Sequence, residues 1–179
     1  HIRSVTLELS QANISDFNTK DYIKSLVNGG FNTIVCFAVG YLNGESYYNS
    51  NFIKKNSDLK NRDILNEISN LKKKYKFKFI AYLNTQFSDI GNLNPSWSQR
   101  RVNGKKTTQL NASTICPNSP YKNLLLKAAK EIAKNYNIDG FYFDEVSFQS
   151  WCNCNFCKKK FKSQTEKNIP VKIDFNDPI

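Results

Sequence analysis

Two stretches of this 179-residue sequence combine residue types that could do chemistry. The first is Asp139-Gly140-Phe141-Tyr142-Phe143-Asp144-Glu145, an aromatic-rich run ending on two carboxylates. In an extended chain, Phe141 and Phe143 point to one face and Gly140, Tyr142 and Asp144 to the other. If the phenylalanines pack under helices, Asp144 looks out of the opposite face. Glu145 has the other parity unless a twist at the strand end brings it in. A carboxylate against an aromatic surface is costly unless it is paired or used, so Asp144 is a functional candidate. The competing role is that of a carboxylate that caps a helix or orders a loop. The second stretch, Cys152-Asn153-Cys154-Asn155-Phe156-Cys157, puts three thiols within six residues. Zinc takes four ligands as a rule, and Cys116 is a better fourth than Cys36 because it falls in a long loop. Reduced or packed thiols and a disulfide are the alternatives. Five cysteines are an odd number, which rules out a closed disulfide framework and favours a reducing, cytoplasmic setting over a secreted one.

Other chemistries are excluded by what is missing. The single histidine is His1, with nothing nearby to orient it, so Ser-His-Asp, Cys-His and helical zinc-protease arrangements fall away. The seven glycines form neither a P-loop nor a dinucleotide fingerprint. No apolar run reaches the roughly 18 residues that cross a bilayer, and the N-terminus has no signal-peptide core. The net charge of +11 would suit an acidic partner. The lysines are dispersed, however, and accompanied by abundant asparagine, and no nucleic-acid reader motif is present, which argues against nucleic acid. With no methionine even at position 1, the chain reads as a processed product or an excised piece.

The elements that would position these residues alternate. Strand patterns near Val5–Leu9, Thr33–Val39, Phe79–Leu83 and Gly140–Asp144 are each followed by a helical pattern. The helices run from Lys20 to Asn28, through Ile64, Ile68, Leu71 and Tyr75, through Leu125, Ala129, Ile132 and Tyr136, and from about Cys154 to Thr165. Ser119 is the expected N-cap of the third, with Pro120 at its first position. Repeated β-then-α order predicts an α/β fold with a parallel sheet. Helix-to-strand connections are short. Those after the second and third strands are long, about Gly40 to Asn61 and Asn84 to Asn118. Elaborated loops at the carboxyl ends of strands are where a β/α barrel or doubly wound sheet carries its site. Parity places Glu8, Asn84 and Asp144 on one inward face.

Those residues, together with Asp16-Phe17-Asn18, Tyr47-Tyr48, Asn94-Pro95-Ser96-Trp97, Cys116-Pro117-Asn118-Ser119-Pro120-Tyr121 and Lys160-Phe161, resemble bacterial glycosyl hydrolases related to α-L-fucosidases and α-amylase-like barrels. The resemblance implies a TIM-type (β/α) parallel barrel acting on glycosides, with Asp144 as nucleophile and no cofactor for catalysis. A retaining glycosidase needs a second carboxyl about 5–5.5 Å away, and Glu145 is the auxiliary candidate. Sugar binding would draw on Glu8, Asn13, Tyr47, Tyr48, Asn84, Trp97 and Asn118, although any of these aromatics could equally be packing. Cys116, Cys152, Cys154 and Cys157 would hold a structural zinc. Only about four of eight β/α units are present. Residues 1–179 are therefore expected to be the N-terminal half of a catalytic domain, completed by the same or another chain. A noncatalytic carbohydrate- or zinc-binding scaffold is the alternative.

Overall fold

The structure, a computed structural model, describes residues 1–9, 13–40, 44–86, 88–109, 112–146, 151–172 and 176. Its centre is a four-stranded parallel sheet of β1 (Ser4–Leu7), β2 (Thr33–Phe37), β3 (Lys78–Asn84) and β6 (Gly140–Asp144), in the order β1-β2-β3-β6. The register pairs Leu7 with Cys36, Cys36 with Ala81 and Ala81 with Phe141, so these side chains share one face. On that face Ile34, Cys36, Phe79, Ala81 and Leu83 are buried with Ile23 of α1 (Thr19–Asn28), Ile64, Leu65 and Ile68 of α2 (Ile64–Tyr75), and Ala128 and Ile132 of α4 (Tyr121–Asn135). Runs such as Thr33–Phe37 and Phe79–Leu83 are β-rich because one side is covered by helices and the other by aromatic rings.

Local chemistry sets the helix starts. The Asn18 side chain accepts the Asp21 amide at 3.1 Å to open α1, and Asp63 accepts that of Asn66 at 2.9 Å to open α2. At α4 the expected start is displaced by a residue: Pro120 occupies the cap position, and Ser119 Oγ accepts from the Tyr121 amide at 3.3 Å. The first two strands are shorter than their apolar runs. Leu9 and Val39 are buried but lie beyond the ladder, and Val39 instead bridges to Ser46.

Both long loops stand at the carboxyl end of the sheet. The β3–α4 connection contains α3 (Ile90–Leu93), a 3₁₀ turn (Pro95–Trp97) and a small antiparallel pair, β4 (Thr108–Gln109) with β5 (Ala112–Ser113). Ile90, Ile115 and Tyr121 give it a second apolar cluster. Gly44 joins the two loops. It has φ +64°, and an added Cβ would fall 2.6 Å from Ile90 Cγ1, so a side chain there would force the loops apart. α5 (Asn155–Thr165) follows β6 and contributes no buried side chain. The architecture is thus an α/β parallel barrel of TIM type with four β/α units, a partial barrel. Among the described residues no strand pairs with the outer edge of β1 or of β6. β6 also shows both faces to solvent: Tyr142 is 50% exposed on one and Phe143 42% on the other. No helix of the described residues is long and apolar enough to cross a membrane.

Candidate active site and thiol cluster

The inner face of the sheet is built from register partners. Phe37 pairs with Tyr82, Tyr82 with Tyr142, and Asn84 with Asp144. The Tyr82 ring stacks on Phe37, with centroids 3.6 Å apart, and lies 5.4 Å from Tyr142. At the carboxyl end of this aromatic row the Tyr82 hydroxyl donates to Asp144 Oδ2. Burial, and next the neighbouring carboxylate, push the Tyr82 phenol well above its ordinary range, so it stays a donor. Asn84 is buried, with its amide nitrogen 3.5 Å from the Tyr82 hydroxyl and its Oδ1 accepting the Gln86 amide at 2.9 Å. The Asp144 carbonyl accepts from the Thr85 amide at 3.1 Å and its hydroxyl at 2.7 Å, which fixes the strand end. A carboxyl group steadied from within the sheet in this way has one side left to meet a ligand.

The other predicted residues divide. Glu145 follows Asp144 in left-handed backbone, φ 59°, half-buried, so the strand ends before it and the parity argument no longer applies. Glu8 follows β1 at the opposite edge of the sheet, and burial raises its carboxyl above the ordinary range. Asn13 is committed to a local turn: its amide donates to Asp16 Oδ2 at 2.6 Å and its Oδ1 accepts from Ser15 Oγ at 2.7 Å. Tyr47 and Tyr48 require correction as sugar platforms. Both are fully buried in the main core, where Tyr48 meets Tyr136 edge-on at 5.6 Å, so neither offers a ring face to a ligand. Trp97 is half-buried against the second cluster. Asn118 is half-buried beside the cysteines, with its backbone amide and its side-chain nitrogen directed at two of the sulfurs. Tyr82 is the residue that sequence reasoning left without a role. Its shared parity with Asn84 was the available signal.

The thiols of Cys116, Cys152, Cys154 and Cys157 converge, all within 4.8 Å of one another, with Cys116 and Cys157 Sγ 3.3 Å apart. All five cysteines are free, and Cys36 stands apart, buried in the sheet core. A tetrahedral zinc with Zn–S near 2.3 Å spaces its sulfurs by about 3.8 Å, so four thiolates at these separations fit a soft tetrahedral cation with small adjustments. Donors surround the sulfurs: the Asn118 amide N–H points to Cys116 Sγ at 3.4 Å and Asn118 Nδ2 to Cys157 Sγ at 3.3 Å. Hydrogen bonding, first from the Cys116 thiol, lowers Cys152 to about 7 and draws Cys154 down as well, while Cys116 itself is pushed up, first by Cys152. The cluster could hold a metal ion.

A carboxylate at the carboxyl end of a strand stands where a β/α barrel carries its site. The family model described as hypothetical glycosyl hydrolase 6 matches residues 18–145, and the chain belongs to that family. The match spans α1 through Glu145 and takes in Asp144, Asn84 and Cys116. No curated protein matches the chain. Solved structures share its fold. α-L-Fucosidase isoenzyme 2 from Paenibacillus thiaminolyticus is 21% identical with a TM-score of 0.74, over 90% of this chain and 26% of that one. A hypothetical protein from Ruminiclostridium thermocellum is 16% identical with a TM-score of 0.62, over 82% and 77%. The noncanonic maltogenic α-amylase AmyB from Thermotoga neapolitana is 10% identical with a TM-score of 0.53, over 92% and 43%. The chain thus spans about a quarter of the fucosidase's length.

Proposed function

We propose that this chain supplies the nucleophile-bearing half of a glycoside hydrolase centre that cleaves glycosidic bonds with retention. Asp144 Oδ attacks the anomeric carbon as the leaving oxygen is protonated by a second carboxyl group, and water then releases the sugar. Glu145 is the auxiliary carboxylate on this chain, and Asn84 and Trp97 are the amide and ring assigned to substrate contact. Residues 1–179 are the N-terminal half of the catalytic domain, and the remaining half, from the same or another chain, closes the barrel around a carbohydrate. Catalysis needs no cofactor. The four thiols bind one structural zinc. The observation that carries the reading is Asp144 at the carboxyl end of β6, held by the Tyr82 hydroxyl on the inner face of a sheet in this family.

The test uses full-length protein and a panel of activated aryl glycosides that includes α-L-fucosides and α-glucosides. Asp144→Asn is expected to lower turnover by at least about 10³-fold with the fold retained, and a small anion such as azide to restore part of it with inversion. Unchanged turnover in that variant removes the assignment. Asp144-dependent binding without hydrolysis would instead favour a noncatalytic carbohydrate-binding role.

A further inference from the structure

α5 presents a physical problem. Its eleven residues include no buried side chain, and its half-buried Phe156 and Phe161 belong to neither apolar cluster. A helix of this length is marginal by itself and normally holds its place by burying an apolar stripe. Here the ties to the body are of another kind. The Asn153 amide donates to the Arg100 carbonyl at 2.7 Å, Lys160 Nζ donates to Asn118 Oδ1 at 3.0 Å, and three thiols of the α5 segment meet the Cys116 thiol. Cys116 belongs to the body: it is buried, its amide donates to the Trp97 carbonyl at 2.8 Å, and its neighbour Ile115 is in the second cluster. Cys154 is the N-cap of α5 and Cys157 lies in its first turn. One ligand is therefore fixed to the barrel loops and three to the start of the helix.

We infer that a zinc ion held by Cys116, Cys152, Cys154 and Cys157 is the tertiary anchor of α5, taking the place of a hydrophobic interface and stapling the segment that follows Asp144 to the β3–α4 loop. This rests on the zinc reading above and adds what the metal does. Four thiolates select a soft tetrahedral cation, Zn²⁺ rather than Mg²⁺ or Ca²⁺. The staple also builds a groove of about 510 Å³ between the loop and the helix, lined by Asn118, Trp151, Lys160, Phe161 and Gln164 among others. That groove exists only while α5 is docked.

The experiment follows amide hydrogen exchange of the full chain, purified without chelator, before and after a strong zinc chelator, with metal content read by elemental analysis and Co²⁺ used to report tetrahedral thiolate ligation by its visible absorption. The expected result is about one zinc per chain, and α5 amides that exchange about 100-fold faster or more after removal while β2 and β3 keep their protection. Cys116→Ser, which cuts the bridge on the body side and leaves the other three thiols in place, should reproduce the α5 effect. Bound zinc whose removal leaves α5 protection unchanged overturns the anchor and leaves the zinc reading standing. Loosening of the whole sheet in step with α5 also overturns it, since the metal would then be supporting the entire fold. A chain that takes up neither Zn²⁺ nor Co²⁺ overturns both readings.

Discussion

The Tyr82 hydroxyl reaches the Asp144 carboxylate across a diagonal of the sheet, because Asn84, not Tyr82, is the register partner of Asp144. Tyr82→Phe keeps the ring on Phe37 and removes the donor to Asp144, together with the long 3.5 Å contact from the Asn84 amide nitrogen. The donor fixes the carboxylate's orientation, and because its hydrogen bond is already made before attack, only the positioning part of its roughly 1.5–3 kcal/mol reaches the barrier. If the carboxylate is the nucleophile, the rate of glycosyl-enzyme formation should fall by up to about 10-fold. KM and the melting temperature should change little. Single-turnover kinetics make the measurement, and a loss confined to KM or to stability would assign Tyr82 to packing instead. Parity along the strands identified Asn84 and Asp144 as sharing a face, but alternation gives the face and not the neighbour. Which hydroxyl meets which carboxylate depends on inter-strand register, and no single strand's sequence contains that. The same limit explains Tyr47 and Tyr48: two adjacent tyrosines in a long loop look available for sugar stacking, and only the three-dimensional path shows them folded back into the core.

At the scale of elements, the helices and strands were legible from periodicity and caps, whereas the ties that hold the loops were not. Glu131 is the main case. The apolar spacing Leu125, Ala129, Ile132, Tyr136 defines α4 and gives Glu131 no task. In the structure it is buried and accepts from Ser50 Oγ at 2.7 Å, the Asn51 amide at 2.8 Å and Asn51 Nδ2 at 2.7 Å, fastening the β2–α2 loop to α4. Burial alone would raise its pKa, but these donors outweigh it and hold the carboxyl below its ordinary value. Asp139 is lowered in the same way, its burial outweighed by Lys72, the Phe79 amide and Lys78. Depressed folded-state values contribute stability that is complete above the unfolded pKa of about 4 and is lost as pH falls through the folded values. Urea midpoints should therefore hold steady from neutrality to about pH 5 and decline below about pH 4. Glu131→Ala, which removes the acceptor of three donors on half-buried Ser50 and exposed Asn51, should cost about 1–2 kcal/mol and flatten part of that acid decline. A midpoint within about 0.5 kcal/mol of the parent would show that the loop does not rely on Glu131.

The whole molecule is a sheet with one finished face and one unfinished. Helices cover the outer side of β1, β2 and β3, but β6, although Phe141 packs against the core, is part-exposed on both sides at Tyr142 and Phe143, and Val146 just beyond it is 76% exposed. The alternation of β and α units, and the restriction of long loops to one end, were readable because each unit repeats the same local pattern. How far the barrel closes was readable only as a count of units, since curvature and closure depend on strands that pair from elsewhere. The geometry limits what four units can do. Glu8 and Asp144 stand at opposite edges of the sheet with β2 and β3 between them, so they are not register neighbours of the kind that would bring two carboxyl groups to the roughly 5.5 Å a retaining pair requires. Glu145 is the neighbouring carboxyl on the chain, and a sugar bound over Asp144 would still be open to water on the side where further strands would stand. The 179 residues by themselves are therefore expected to be inert toward activated glycosides. The outer edges of β1 and β6, which no strand among the described residues pairs, are also expected to drive concentration-dependent association, visible by sedimentation. Supplying the complementary half of the barrel should suppress that association and confer activity that Asp144→Asn removes. Robust turnover by a monomer of this chain alone would refute the half-barrel reading and make Glu145 the acid.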